Sequence, residues 1–94
     1  MSLDPNAQLS RRSALPQATI GASEIVLLDT SAGKYHGLKG PAARIWELLE
    51  TPTSLAKICE RLVAEFEVEP DVCRQDVESF VGQLIGENLV VVSN

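Results

Sequence analysis

The strongest constraint on the fold is a change of hydrophobic period at Gly40. Before Gly40, short apolar runs are separated by turn residues, as in β-strands. After it, apolar residues recur at the i, i+3, i+4 and i+7 spacing of amphipathic helices. In the first part we predict three strands and the two turns between them: strands at 18–20, 24–29 and 34–38, and turns at 21–23 and 30–33, where Gly33 can take a positive φ.

Three helices are predicted after the change of period. Pro41 and Pro70 suit the first turns of the first and third helices, and Thr53 or Ser54 can cap the second. The third helix covers 70–87. Its end is expected at a residue able to adopt left-handed geometry, followed by a short terminal strand or extended tail: Gly86 or Asn88, then 89–92.

Three amphipathic helices cannot bury their apolar stripes alone, but they can do so against one face of a small sheet. We therefore predict an α+β fold, a winged helix-turn-helix-like arrangement of a three-stranded antiparallel sheet followed by three helices. Residues 1–17 are rich in turn formers with scattered apolar residues, which predicts a flexible N-terminal arm. The folded domain is expected at 18–94.

The charge distribution argues against nucleic-acid binding. The net charge is −5, and residues 57–94 hold three basic and eight acidic residues. The predicted third helix carries Arg74 as its single base, so it would be repelled by a phosphate backbone. An acidic winged-helix regulator stays open as an alternative.

Catalysis and metal binding have little support in the sequence. His36 is the only histidine, and the two cysteines, Cys59 and Cys73, lie on apolar helix faces, where they act as small buried residues. We expect neither an enzyme nor a metal or cofactor site. The chain has no apolar run near the ~20 residues of a membrane span and no signal-peptide stretch at its start, so we expect a cytoplasmic protein without a membrane partner.

The remaining function class is peptide binding. The strand at 34–38 is short and polar enough to be an edge strand, and an extended peptide can add to such an edge. If the third helix lies beside it, a groove forms with an apolar floor from Tyr35, Val77, Phe80, Val81 and Leu84 and a polar lip from Lys34, His36, Arg74 and Asp76. The alternative for the helix residues is that they only complete the core.

The run Gly33–Leu38 followed by Ala42–Leu49 resembles the PqqD-like family, also called RiPP recognition elements. The resemblance covers about residues 20–92 and extends to Leu62–Pro70, Asp76-Val77 and Phe80–Leu89. It implies three strands followed by three helices. It also implies capture of the leader segment of a ribosomally made precursor peptide, which adds as a strand beside the third strand and against the third helix.

Carried over residue by residue, the resemblance implies leader contacts at Lys34, Tyr35, His36, Gly37, Arg74, Val77, Phe80, Val81 and Leu84, and core positions at Leu38, Ile45 and Trp46. Family members that serve pyrroloquinoline quinone synthesis usually have leucine at the position of Trp46 and a Pro-Glu pair before the third strand. Neither occurs here, and Trp46 is more similar to standalone leader-binding proteins of lasso-peptide pathways. Asn88 replaces a usual glycine and tolerates left-handed geometry.

The sequence therefore predicts a small, non-catalytic adaptor, or peptide chaperone. It would bind a precursor leader between 34–38 and 70–87 and deliver it to modifying enzymes. In lasso-peptide biosynthesis these are a leader peptidase and an ATP-dependent ring-closing enzyme (cyclase). The alternative within the class is another modified-peptide pathway, including pyrroloquinoline quinone synthesis.

Overall fold

Two small antiparallel sheets and three helices make up the fold in the computed structural model, which describes residues 4–12, 17–21, 24–29 and 33–93. In chain order the elements are β1 (Gln8–Arg11), β2 (Gln17–Gly21), β3 (Glu24–Asp29), β4 (Lys34–Lys39), α1 (Pro41–Leu48), β5 (Thr53–Ser54), α2 (Leu55–Phe66), α3 (Pro70–Gly86) and β6 (Val90–Ser93). The predicted turn residues Ala22 and Ser23, and Thr30 to Ala32 of the predicted loop, lie outside the described residues.

The first sheet has the strand order β2-β3-β4. The three predicted strands are thus confirmed, with β3 in the centre. Residues directly opposite each other share a face, so Ile25 and Leu38 pair on the inner face and both are buried. On the outer face Leu28 pairs with Tyr35, and both are exposed. The sheet therefore buries only one side.

Gly40 turns the chain from β4 into α1. Its φ of 55° and ψ of −126° belong to a region that glycine alone occupies at low cost. Pro41 then starts the helix with a fixed φ and with no N–H to leave unpaired. The backbone conformation of Gly40 alone therefore makes the expected change from strand to helix.

The predicted caps of the other helices are confirmed. The Ser54 side chain accepts a hydrogen bond from the Lys57 N–H at 3.3 Å at the start of α2. Pro70 begins α3. After α3, Asn88 adopts a left-handed φ of 62°, and the N–H of Leu89 donates to the Leu84 carbonyl at 2.9 Å. This geometry turns the chain out of α3 into β6.

The N-terminal segment differs from the flexible arm expected over residues 1–17. Gln8–Arg11 forms β1, which lies between β5 and β6 in a second sheet of order β5-β1-β6. Leu9 is 1% exposed and belongs to the main core. The folded unit therefore begins before residue 18, because one buried leucine and two neighbouring strands fix this segment. Residues 1–3 and 13–16 of the expected arm are outside the described part of the chain.

Trp46 joins the N-terminal segment to the helices. It is fully buried, and its indole Nε1–H donates to Gln17 Oε1 at 3.1 Å. The Arg11 guanidinium lies 4.4 Å from the Trp46 ring centroid and donates from Nε to the Trp46 carbonyl at 3.2 Å. Burial lowers the pKa of Arg11 below its ordinary value. The expected core positions Leu38, Ile45 and Trp46 are confirmed.

No helix in the described part of the chain is long and apolar enough to cross a membrane.

The docking of β1 can be tested with Leu9→Ala. Removing a fully buried leucine side chain costs about 2–5 kcal/mol, so we expect a lower free energy of unfolding by about that amount. Urea unfolding followed by the fluorescence of Trp46, the only tryptophan, measures it.

Gln8→Ala is the matched control, because Gln8 is the exposed neighbour of Leu9 on the same strand. We expect its unfolding midpoint to stay close to that of the unchanged protein. Equal midpoints for the two variants would mean that β1 does not dock in solution.

Candidate functional site

The border of the first sheet at β4 is open. Within the described residues, β4 pairs with β3 on one side and with no strand on the other. Alternate residues of an edge strand point their backbone N–H and C=O groups away from the sheet. The first and last strands of the described residues do not fill this position, because β1 and β6 lie in the second sheet and neither is hydrogen-bonded to β4. The border is therefore available to an added strand.

An open groove runs between this border and α3. Its volume is about 560 Å³. The β4 side is formed by His36, Gly37 and Leu38, and the α3 side by Phe80, Gln83, Leu84, Gly86 and Glu87, with Leu89 at the end. The predicted juxtaposition of the edge strand with the third helix is therefore present in the fold.

A smaller apolar pocket adjoins the groove at Phe80. It holds about 240 Å³ between the start of α1, the end of α2 and the first half of α3. Pro41, Ile45, Phe66 and Val77 are among its walls, and Asp76 is its one charged lining residue. Because Phe80 lines both cavities, a segment lying in the groove can place a side chain in the pocket.

Several sequence-predicted contact residues come together at these cavities. His36, Gly37, Phe80 and Leu84 line the groove, and Val77 lines the pocket beside Phe80. Leu84 and Val77 are almost fully buried, so they serve the core and the cavity wall together. Val77 and Leu84 can therefore both complete the core and form part of a peptide-binding surface.

The other predicted contacts lie elsewhere. Val81 is fully buried among core side chains and lines neither cavity. Arg74 is exposed and lines neither cavity. Tyr35 is 75% exposed on the outer face of the sheet, and Lys34 is exposed at the start of β4. These four contacts remain predictions, and none of the four residues lines the groove.

Two polar groove residues are among those that the sequence did not predict as contacts. Gln83 and Glu87 are polar, so an analysis of apolar stripes passes over them. They stand three and seven positions after Phe80, which is the spacing of one helix face. Starting that spacing from Phe80 would have found both.

An ion-pair network braces the helices around the pocket. Arg44 of α1 holds Glu65 of α2 through two hydrogen bonds, of 2.8 Å to Oε1 and 3.0 Å to Oε2. This contact lowers the pKa of Glu65 and raises that of Arg44. Arg61 approaches the same carboxylate at 3.5 Å. The bidentate geometry fixes the distance between α1 and α2 beside Phe66, although its partners are solvent-accessible.

The two cysteines are free thiols, one on α2 and one on α3. Cys73 is buried and Cys59 is half-buried. Burial, the neighbouring Cys73 and a hydrogen bond to it raise the pKa of Cys59 to about 11. The described residues contain no group of three or more side chains suited to hold a metal ion.

The fold and the site define a small α+β domain with an open sheet border beside an apolar helix. The family described as coenzyme PQQ synthesis protein D (PqqD) matches residues 24–90, and the chain belongs to this family. No match was found among the curated proteins.

Two solved structures are similar to this chain. TbiB1 in complex with the TbiA(beta) leader peptide has 31% sequence identity and a TM-score of 0.77, over 86% of this chain and 93% of that one. A lasso peptide synthetase B1 complexed with the leader peptide has 28% identity and a TM-score of 0.74, over 88% and 96% of the two chains. Both support the predicted family and fold.

The raised pKa of Cys59 predicts slow alkylation. The thiolate is the reactive form, so at pH 8 a pKa of about 11 instead of 9.0 leaves about a hundredfold less of it. We expect iodoacetamide to label Cys59 at least that much more slowly in the folded protein than in urea, as measured by peptide mass spectrometry.

The raised pKa of Cys59 also makes the stability of the fold depend on pH. A folded-state pKa above the unfolded one stabilises the fold at neutral pH, and this contribution is lost as the pH rises towards 11. Equal labelling rates with and without urea would contradict the burial of this thiol.

Proposed function

We propose that this chain binds the leader segment of a ribosomally made precursor peptide in lasso-peptide biosynthesis. The observation that carries the proposal is the unpaired border of β4 next to the apolar groove on α3. The family membership supports it, as do two similar proteins whose structures hold a leader peptide. The leader would add to β4 as a further strand.

Backbone pairing alone gives little affinity. Four or five backbone hydrogen bonds contribute about 0.5–1.5 kcal/mol each, whereas ordering the peptide costs about 1–2 kcal/mol per residue. These two contributions nearly cancel. The backbone therefore sets the direction and register of the leader, and the affinity must come from side chains.

The pocket beside Phe80 is the place for such a side chain. Burying one aliphatic or aromatic residue contributes about 1.5–3 kcal/mol. The pocket is apolar, is braced by the Arg44–Glu65 pair, and opens next to the groove. One anchor there and a second apolar contact along Leu84 would together contribute about 3–6 kcal/mol. The rest of the free energy of micromolar binding, about −8 kcal/mol, would come from polar contacts at the rim of the groove.

The bound leader would serve other enzymes. We propose a non-catalytic adaptor in the cytoplasm that holds the leader while a leader peptidase and an ATP-dependent cyclase act on the core peptide. Tethering raises the local concentration of the core peptide at those enzymes. Support for the non-catalytic role comes from the raised pKa of Cys59, which keeps this thiol in its unreactive protonated form at neutral pH.

Two alternative functions are tested by the same binding experiment. The family is described by coenzyme PQQ synthesis, so the partner could be the precursor of that or another modified-peptide pathway. The acidic winged-helix regulator has less support, because α3 carries Asp71, Asp76 and Glu78 against Arg74.

Leader binding is measured with synthetic leader peptides of the precursors encoded beside this gene and with the TbiA(beta) leader as a reference probe. We expect one neighbouring leader to bind with a Kd of about 1 μM or less in calorimetry. No binding by any neighbouring leader at about 100 μM, or a salt-dependent shift with duplex DNA alone, would overturn the proposal.

Phe80→Ala and Phe66→Ala test whether the pocket binds an anchoring side chain of the leader. Phe66 is 39% exposed and lines the pocket, so its truncation spares the core. We expect each variant to weaken leader binding about tenfold or more, because the apolar wall is lost. Val92→Ala is the matched control, since Val92 is equally exposed but lies on β6. If both variants fold, as judged by Trp46 fluorescence, and bind with unchanged affinity, the pocket is not the anchor site.

A further inference from the structure

One residue of the groove wall carries a buried polar atom with no partner. Nε2 of His36 is buried and makes no hydrogen bond, and no other buried side-chain atom of the described residues is in this state. His36 lies on β4 opposite the fully buried Leu27, so its ring faces the inner side of the sheet. A buried imidazole nitrogen without a partner costs free energy until one is supplied.

The opposite wall is also polar. Gln83 lies on the last turn of α3 and Glu87 directly follows the helix four positions later, and both line the groove that His36 lines. Glu87 can only accept a hydrogen bond when ionised, and a neutral imidazole nitrogen accepts one when its proton is on the other nitrogen. Leu38, Phe80 and Leu84 make the rest of the floor apolar. The hydrogen-bonding side chains that line the groove are therefore those of His36, Gln83 and Glu87.

We propose that His36, Gln83 and Glu87 select a hydrogen-bond-donating side chain on the bound leader, which makes His36 a specificity-determining residue. This inference rests on the proposed function and names the chemistry that the same site reads. Rotation of the His36 ring about χ2, a soft torsion, turns Nε2 towards the groove. The acceptor set fits a hydroxyl, ammonium or guanidinium group, and it rejects an apolar side chain, which would leave Nε2 unpaired.

The fold also sets the spacing between this donor and the apolar anchor. Val77 marks the middle of the pocket along α3, and Ile85 marks the midpoint between Gln83 and Glu87. Between these two residues the helix advances about 12 Å at 1.5 Å per residue. An added strand covers that distance in about four residues at 3.3 Å each. Four is even, so both side chains point to the same face of the strand. The leader should therefore carry its anchor and its donor about four positions apart.

The test is a double-mutant cycle between His36→Phe and alanine variants of the leader that binds best. His36→Phe keeps an aromatic ring and removes the nitrogens. We expect it to weaken binding about tenfold. We also expect the alanine variant at the donor position, about four residues from the anchor, to lose affinity for the unchanged protein but not for His36→Phe.

The stability of the His36→Phe variant shows whether His36 acts in leader recognition or only in packing. Because His36→Phe removes an unpartnered buried nitrogen, we expect an unfolding midpoint in urea that is unchanged or higher, together with weaker binding. His36→Gln restores a polar atom and should recover part of the affinity. Glu78→Ala is the control on α3, since Glu78 lines neither cavity.

Each outcome decides the matter. Non-additive losses confined to one donor-bearing position support the proposal. If Phe80→Ala weakens leader binding but His36→Phe does not, or if the losses are additive at every peptide position, the inference about His36 is overturned and leader binding stands. If no leader binds the unchanged protein, the proposed function fails and this inference fails with it.

Discussion

The pairing of the two chain ends with each other is the interaction on which the site depends. β1 and β6 run antiparallel over four residue pairs, from Gln8↔Ser93 to Arg11↔Val90. Arg11 then closes over the Trp46 ring and donates to the Trp46 carbonyl. Neither of these strands is hydrogen-bonded to β4. The fold thus satisfies the hydrogen bonds of its terminal segments in a separate sheet and leaves one border of the main sheet free.

The site joins two different kinds of recognition. β4 presents backbone groups, which read neither sequence nor charge, whereas α3 presents side chains in an order that runs from apolar at Val77 to polar at Glu87. The same helix face that completes the core also forms the wall of the groove, so a small domain needs no separate binding layer. Phe80 lies where the two cavities meet, and it belongs to the core, the groove and the pocket at once.

Local patterns predicted most elements well, because the signals were strong and short in range. Proline at a first helical position, a serine cap and asparagine in a left-handed turn each act within a few residues. β1 escaped prediction because Leu9 is its only buried residue and its partners, β5 and β6, lie some 45 and 80 positions further along the chain. The positions of Arg74 and Val81 could not be predicted for a similar reason. A helical stripe shows which face of the helix is buried, but not which part of the fold each residue on the helix contacts.

The sequence by itself determined the class of the fold, the order of strands and helices, and the two partners of the groove, since hydrophobic periodicity and caps are written in neighbouring residues. Only the tertiary structure decided that β1 and β6 pair with each other, that Tyr35 faces outwards, and that His36, Gln83 and Glu87 line the same groove. The physical reason is that each of these facts depends on the packing of segments that lie far apart in the chain. That packing is set by the whole core around Trp46 and by no local signal.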